Sequence, residues 1–327
     1  MNNQSTTVSS FWQAIAVPEA EPPYNTIHLK IFYPSDRSSS PNPFLPALSA
    51  SNLAPLPIVI FFNGFNCSLA SYQWLAVELA ARGLVVVLFD WLISTNKTTF
   101  LTPGVDLSAF SSETYGTMPS ASALPLIMAE LDNLQENSVL SGSLDLQKIM
   151  LGGHSAGGRL ALENAEPKFF DRLVGSFSYG AHSAAPMQLG HPPGTILPLP
   201  DSLPMLILGG TEDGVIANNS NIYGVKQWQT PATPVIRTFR EGITSQDGNS
   251  YLIIIEGANH FAIADYTDST LAIAEADLTA TQPETEIRSL MASILASFID
   301  TLILKRSPKS QFESLLNSKA IASSEFK

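Results

Sequence analysis

The chain has very little cysteine: Cys67 is the only one among 327 residues. An intrachain disulfide and a cysteine-built zinc site are both excluded. Basic residues are scarce as well, with 17 Lys and Arg against 29 Asp and Glu and a formal net charge of −12. A nucleic-acid binder would need a basic footprint that this composition does not supply. Charged residues make up only 14% of the chain. Even so, no uninterrupted apolar run reaches the roughly 20 residues of a membrane-spanning helix. The strongest candidate, 290–304, carries Ser293, Ser297, Asp300 and Thr301 and reads as an amphipathic helix lying on a core. The opening residues, Met1-Asn-Asn-Gln-Ser-Thr-Thr7, lack the basic region and apolar core of a secretory signal. A cytoplasmic location is therefore expected, with peripheral membrane contact left open. No internal repeat is visible.

Hydrophobic residues are plentiful at 45%, enough for a large core. The length suits one large α/β domain or two small ones. Strand and helix signals alternate. Thr26–Tyr33 reads as a half-exposed edge strand, and Leu56–Phe62 and Leu84–Phe89 as buried strands. Further strands are expected at Leu173–Tyr179, Pro204–Leu208 and Tyr251–Ile255. Helix spacing runs over Ser68–Arg82, over Ser120–Leu134 with Ser120 or Ser122 as cap, and over Thr285–Leu304. Ser38–Pro57 reads as a loop or insertion. The expected fold class is α/β, with a mostly parallel central sheet and helices on both faces. One domain is expected over 26–304, with insertions near 92–119 and 183–200. Residues 1–25 would form an N-terminal extension and 305–327 a weakly amphipathic C-terminal tail, its order left open.

The segment Lys148–Gly158 concentrates the chemistry. An apolar strand runs into Gly153-His-Ser-Ala-Gly157, and a helix-compatible run follows. This is a G-x-S-x-G nucleophile elbow, in which a sharp strand-to-helix turn demands small residues two before and two after the serine. Such a pentapeptide arises by chance in about one chain in ten of this length, so the strand and helix around it carry the argument. The glycine spacing does not match a dinucleotide-binding loop.

Functional groups of such sheets gather at the carboxyl ends of strands, which selects Asn63–Asn66, Asp90, Ser155, His182, Asp213 and His260. Serine needs a base, and the base needs an orienting acceptor. His260 follows a buried strand and precedes the last helix, where the chain order Ser, acid, His puts the base. His182 also ends a strand and is the competitor, read as a pocket or structural residue. His28, His191 and His154 are placed less well; the side chain of His154 is expected to point away from the Ser155 hydroxyl. Asp213 and Glu212 both qualify as the acid, and Asp213 is favoured by its shorter side chain and its offset from Gly210. The oxyanion donors are expected to be the backbone N–H groups of Ala156 and Phe65. Asn63, Gly64, Asn66, His154 and His182 complete the expected substrate pocket. Phe100, Leu101, Phe110, Met118, Met187, Leu189, Ile196, Leu197 and Leu199, from the two insertions, could line an apolar pocket or lid. The triad chemistry requires no metal and no organic cofactor.

With these residues in hand, the chain resembles the α/β-hydrolase superfamily over about 26–304. Val59-Ile-Phe-Phe-Asn-Gly-Phe65, Gly83-Leu-Val-Val-Val87 and Gly153-His-Ser-Ala-Gly-Gly158 are similar to chlorophyllases and to dienelactone-hydrolase and cutinase-like esterases. Gly257-Ala-Asn-His-Phe261 looks like the histidine loop of cutinase-like polyesterases. The chain departs from plant chlorophyllases at Ala156, where they usually carry Arg, and at Asn63, where they usually carry His. They also often place the acid after the strand that here ends in Tyr179-Gly-Ala-His182. The resemblance implies a serine carboxylesterase, of chlorophyllase type, that cleaves the phytyl ester of chlorophyll. The alternatives are a lipase, a cutinase-like or dienelactone-type esterase on another apolar ester, or a non-catalytic binding protein on a hydrolase scaffold.

Overall fold

The computed structural model describes residues 7–36, 48–49, 55–94, 98–267 and 272–327. Most of the loop expected at Ser38–Pro57 lies outside the described residues. Eleven strands are described: β1 (Thr7–Ala16), β2 (Thr26–Asp36), β3 (Leu48–Ser49), β4 (Leu56–Phe62), β5 (Val85–Ser94), β6 (Thr99–Leu101), β7 (Leu144–His154), β8 (Leu173–Tyr179), β9 (Met205–Glu212), β10 (Ser250–Asn259) and β11 (Ile321–Phe326). The helices are α1 (Gln73–Ala80), α2 (Ala123–Asn137), α3 (Ser155–Glu163), α4 (Gly214–Asn218), α5 (Thr233–Arg237), α6 (Ala272–Glu275), α7 (Glu284–Phe298) and α8 (Lys309–Leu315).

The sheet order is β1-β2-β5-β4-β7-β8-β9-β10-β11, with β3 on β2 and β6 on β5. From β5 through β10 every neighbour is parallel. β1, β2 and β11 add antiparallel margins. The fold is therefore α/β with a mostly parallel mixed sheet.

Side-chain alternation explains why the central strands read as unbroken apolar runs. In β4, Ile58, Ile60 and Phe62 enter the core on one face of the sheet, and Val59 and Phe61 enter the core on the other. In β5, Val85, Val87 and Phe89 go one way and Val86 and Leu88 the other. Both faces are covered, so neither position tolerates a polar residue. α1 and α7 close one face through Leu75, Leu79, Met291 and Phe298. α2 and α3 close the other through Leu124, Ile127, Leu131 and Leu160. α5 and Trp228 cover its far end over β9 and β10.

Several sequence expectations change. Residues 1–25 are not a mere extension, because β1 pairs with β2 over ten residues, from Thr7↔Ser35 to Ala16↔Thr26. β2 is consequently internal, and the edge role expected of Thr26–Tyr33 passes to β1. Residues 305–327 are not a loose tail. Phe312 of α8 is fully buried against Tyr251 and Phe298, and β11 pairs with β10 at the opposite margin. The expected helix over Ser68–Arg82 begins as a 3-10 turn at Leu69–Tyr72, capped by the Ser68 hydroxyl, before α1. Ser122 stands at the start of α2, but its hydroxyl donates to the Gly104 carbonyl and caps nothing.

Candidate active site

β7 delivers Ser155 at the carboxyl edge of the sheet. The residue adopts φ +54°, in the left-handed region that a non-glycine residue enters only under constraint. The constraint is packing. A Cβ on Gly153 would lie 2.4 Å from the Gly157 carbonyl oxygen, and one on Gly157 would lie 2.2 Å from the Asn63 oxygen. Helix α3 thus crosses the ends of β7 and β4 at a distance only glycines permit, and the serine takes up the bend. It sits partly exposed at the first turn of α3, where unpaired N–H groups and the helix dipole favour negative charge.

Asp213 and His260 meet across the ends of β9 and β10. The His260 Nδ1 lies 2.8 Å from Asp213 Oδ2 and 3.0 Å from Oδ1. Both side chains are almost fully buried, at 2% and 1% exposure. Asp213 is also the N-cap of α4 and accepts the Ile216 N–H at 2.9 Å, which fixes the carboxylate toward the imidazole. Burial pushes the His260 pKa down, and the charge and hydrogen bonds of Asp213 outweigh it, leaving the pKa raised. Gly180, at φ +59°, lets the backbone after β8 run beneath the pair: a Cβ there would sit 3.1 Å from His260 Nδ1 and 3.3 Å from Asp213 Oδ2. Glu212 does not join. It is half-buried and accepts only the Thr211 hydroxyl, at 3.4 Å.

Ser155, Ala156, Phe65, His182 and His260 line one cavity of about 530 Å³. Among the described residues the Phe65 N–H has no acceptor. The Ala156 N–H belongs to the first turn of α3, where helices leave donors unpaired. His182 is buried, and burial first, then the charges of Arg159 and His260, push its pKa down to about 3. Its Nδ1 accepts the Ala184 N–H at 3.2 Å, and its ring packs edge-on to Tyr223.

The other residues expected in the substrate pocket lie elsewhere. The Asn63 amide is buried and donates to the Phe89 carbonyl at 2.7 Å, next to Asp90 Oδ1 at 3.1 Å. Asp90 in turn accepts the Leu69 N–H and the Ser68 hydroxyl, so this pair braces the chain after β4. Asn66 pairs with Leu101 through backbone and side chain and lines a separate cleft. Gly64 is turned away too: its N–H donates to the Tyr72 hydroxyl at 3.1 Å. His154 points into the core, away from the Ser155 hydroxyl. Its Nε2–H donates to the His260 carbonyl at 2.9 Å, and its Nδ1 accepts the Tyr72 hydroxyl at 2.8 Å. Burial keeps its pKa well below the ordinary histidine value.

Sequence reasoning missed Asp277, on the loop after α6. Its Oδ1 accepts the Gly214 N–H at 2.9 Å and the His260 N–H at 3.2 Å, and its Oδ2 accepts the Phe261 N–H at 3.2 Å. It also missed Tyr72, which looked like one apolar position in a helix repeat.

The two insertions pack on each other over α3. Tyr115 donates to the Pro198 carbonyl at 2.8 Å, and His191 donates to that of Phe110 at 2.8 Å. Of the apolar residues expected there, Phe100, Phe110 and Leu189 line a cavity of about 290 Å³ that also touches Phe65 and Ala156. Leu101 faces the cleft of Asn66, and Met118 and Leu199 face a third cavity. Ile196 and Leu197 pack inward, and Met187 is exposed. Among the described residues no helix is long and apolar enough to cross a membrane, and no cluster of His, Cys, Asp or Glu could hold a metal ion. No protein-family model matches this chain, and no curated protein matches its sequence.

Proposed function

We propose that the protein is a serine carboxylic-ester hydrolase working through an acyl-enzyme. The observation that carries the reading is the buried Asp213–His260 pair, whose imidazole lines the same cavity as Ser155. The sheet order supports an α/β-hydrolase scaffold, with nucleophile, acid and base following β7, β9 and β10 in turn. His260 Nε2 takes the Ser155 proton as the hydroxyl attacks the ester carbon. Asp213 holds the Nδ1–H tautomer and stabilises the imidazolium. The N–H groups of Phe65 and Ala156 receive the oxyanion. Collapse expels the alcohol, protonated by His260, and water attacks the acyl-enzyme by the same relay. The chlorophyllase-type reading, phytyl-ester cleavage of chlorophyll, is the narrower form. The lipase, cutinase-like or dienelactone-type esterase is the second reading, favoured by the modest size of the apolar cavity beside Phe65.

The test is turnover of p-nitrophenyl esters and of chlorophyll, together with mass-spectrometric mapping of a phosphonate probe. Ester turnover with the label on Ser155 is the expected result. Ester turnover without chlorophyllide removes the chlorophyllase form. Binding of esters without turnover or labelling would favour a binding protein on this scaffold.

A further inference from the structure

Two cavities meet at Phe65, Leu107, Ala156 and Arg159. The larger contains Ser155 and His260; the smaller contains neither. We propose that the smaller cavity, about 290 Å³, is the acyl subsite, and that it takes an uncharged aliphatic chain of roughly eight carbons. The assignment rests on the ester-hydrolase reading.

The geometry of ester cleavage decides which half goes where. The departing alkoxide receives its proton from His260, so the alcohol occupies the cavity that His260 lines. The carbonyl oxygen lies between the N–H groups of Phe65 and Ala156. The acyl group then leaves the carbonyl carbon on the side away from His260. The neighbouring space that His260 does not line is the cavity walled by Ile93, Phe100, Val105, Phe110, Leu160 and Leu189, and the acyl group is assigned to it.

Its chemistry is apolar. Thr102 is engaged by the Gly104 N–H at 3.0 Å. Arg159 is the one charged residue on the wall; it is paired with Glu163, while its buried Nη2 has no hydrogen-bond partner among the described residues. Its Nε donates to Glu163 at 2.8 Å, its Nη1 to the Ala184 carbonyl at 2.8 Å, and its guanidinium stacks on the Phe110 ring at 4.7 Å. A carboxylate on the acyl chain would compete with Glu163 for the guanidinium, whereas a hydrocarbon chain meets walls that are apolar apart from Thr102 and Arg159. The volume equals about ten water-sized groups at roughly 30 Å³ each. A tetrapyrrole acid is far larger, so its macrocycle would stay outside.

The experiment is a pair of substrate series on the intact protein: p-nitrophenyl acyl esters from acetate to palmitate, and acetate esters of alcohols of rising length. kcat/KM should rise roughly two- to fourfold per methylene up to about eight acyl carbons, then fall. Ile93→Trp, on a strand extension beside the cavity, should lower the octanoate-to-acetate ratio tenfold or more and leave the alcohol-length preference in place. Ile222→Trp, on the wall of the His260 cavity, should do the reverse. Leu189→Ala should move the acyl optimum to a longer chain, and this holds the test open if a tryptophan variant does not fold. A flat acyl series, or an Ile93→Trp variant that changes only the alcohol series, overturns the assignment and leaves the hydrolase intact. Absence of turnover on every ester removes both.

Discussion

Asp277 accepts the backbone N–H of His260 at 3.2 Å, and through the same carboxylate oxygen it accepts the N–H of Gly214, the residue after Asp213, at 2.9 Å. One side chain from outside the sheet thereby holds the loops of the proposed acid and base in register. Its charge also helps to raise the His260 pKa. Asp277→Asn keeps an acceptor and removes the charge, so the acid limb of the kcat/KM profile should move to lower pH. Asp277→Ala also loses the acceptor and should lower kcat about a hundredfold, as expected when reacting groups are displaced by about 1 Å. An acid limb unmoved in Asp277→Asn would remove the electrostatic part of this role.

Ser155→Ala and His260→Ala should each abolish turnover to within the residual rate that oxyanion stabilisation alone supports. Asp213→Asn should lower kcat by about 10⁴-fold, because the amide can stabilise the wrong imidazole tautomer. That variant keeps an acceptor for the Ile216 N–H, so its melting temperature should change little. Steady-state kinetics with thermal melts separates lost chemistry from a lost fold.

His260 must be neutral to accept a proton. Its pKa is raised above the ordinary value of about 6.5, so activity should decline as pH falls through a midpoint above 6.5. Asp213→Asn should move that midpoint down. A wild-type acid limb well below 6.5, in kcat/KM against pH, would contradict the pairing.

Stability should also fall on acidification, through two other histidines. His154 and His182 are held neutral in the folded chain, His182 down to about 3, and both titrate near 6.5 when unfolded. Below pH 6.5 the unfolded state binds protons that the native state refuses, so stability falls as pH falls. His182 costs about 1.4 kcal/mol per pH unit below 6.5, or about 2 kcal/mol between pH 6.5 and 5, and His154 adds in the same direction. His260 is protonated in both states over most of that range and adds little. Urea unfolding at pH 7 and pH 5 should therefore show a loss that His182→Asn reduces by about 2 kcal/mol. Comparing the two proteins cancels the carboxylates common to both.

The residues legible in the sequence were those whose role follows from a local rule. Gly153 and Gly157 mark the bend because no larger residue clears the crossing of α3 over β4. Asp213 and His260 each follow a strand whose two faces are buried, so hydrophobic runs ending in polar residues located them. Asp277 carried no such signal: its partners lie 63 and 17 residues away, in a stretch without hydrophobic periodicity. Asn63 and Gly64 follow directly on β4, a position that by the strand-end rule alone points toward substrate. Their polar groups instead satisfy Phe89, Asp90 and Tyr72, contacts set by the packing of neighbouring strands. β1 and β11 were missed because margin strands need only one buried face, and Thr7–Ala16 and Ile321–Phe326 hold a single buried residue, Ile15.

Tyr72 and His154 splice three distant stretches of chain, through Gly64, the elbow and His260, into a hydrogen-bonded belt behind the candidate site. Burial lifts the phenol of Tyr72 well above its usual range and drops the imidazole of His154 well below its own. Neither ring changes protonation anywhere near neutrality, so the belt keeps its donor-to-acceptor polarity while the proton on His260 comes and goes. Under the proposed mechanism the molecule separates two populations of protons: one that is traded with substrate, and one that is locked away as scaffolding.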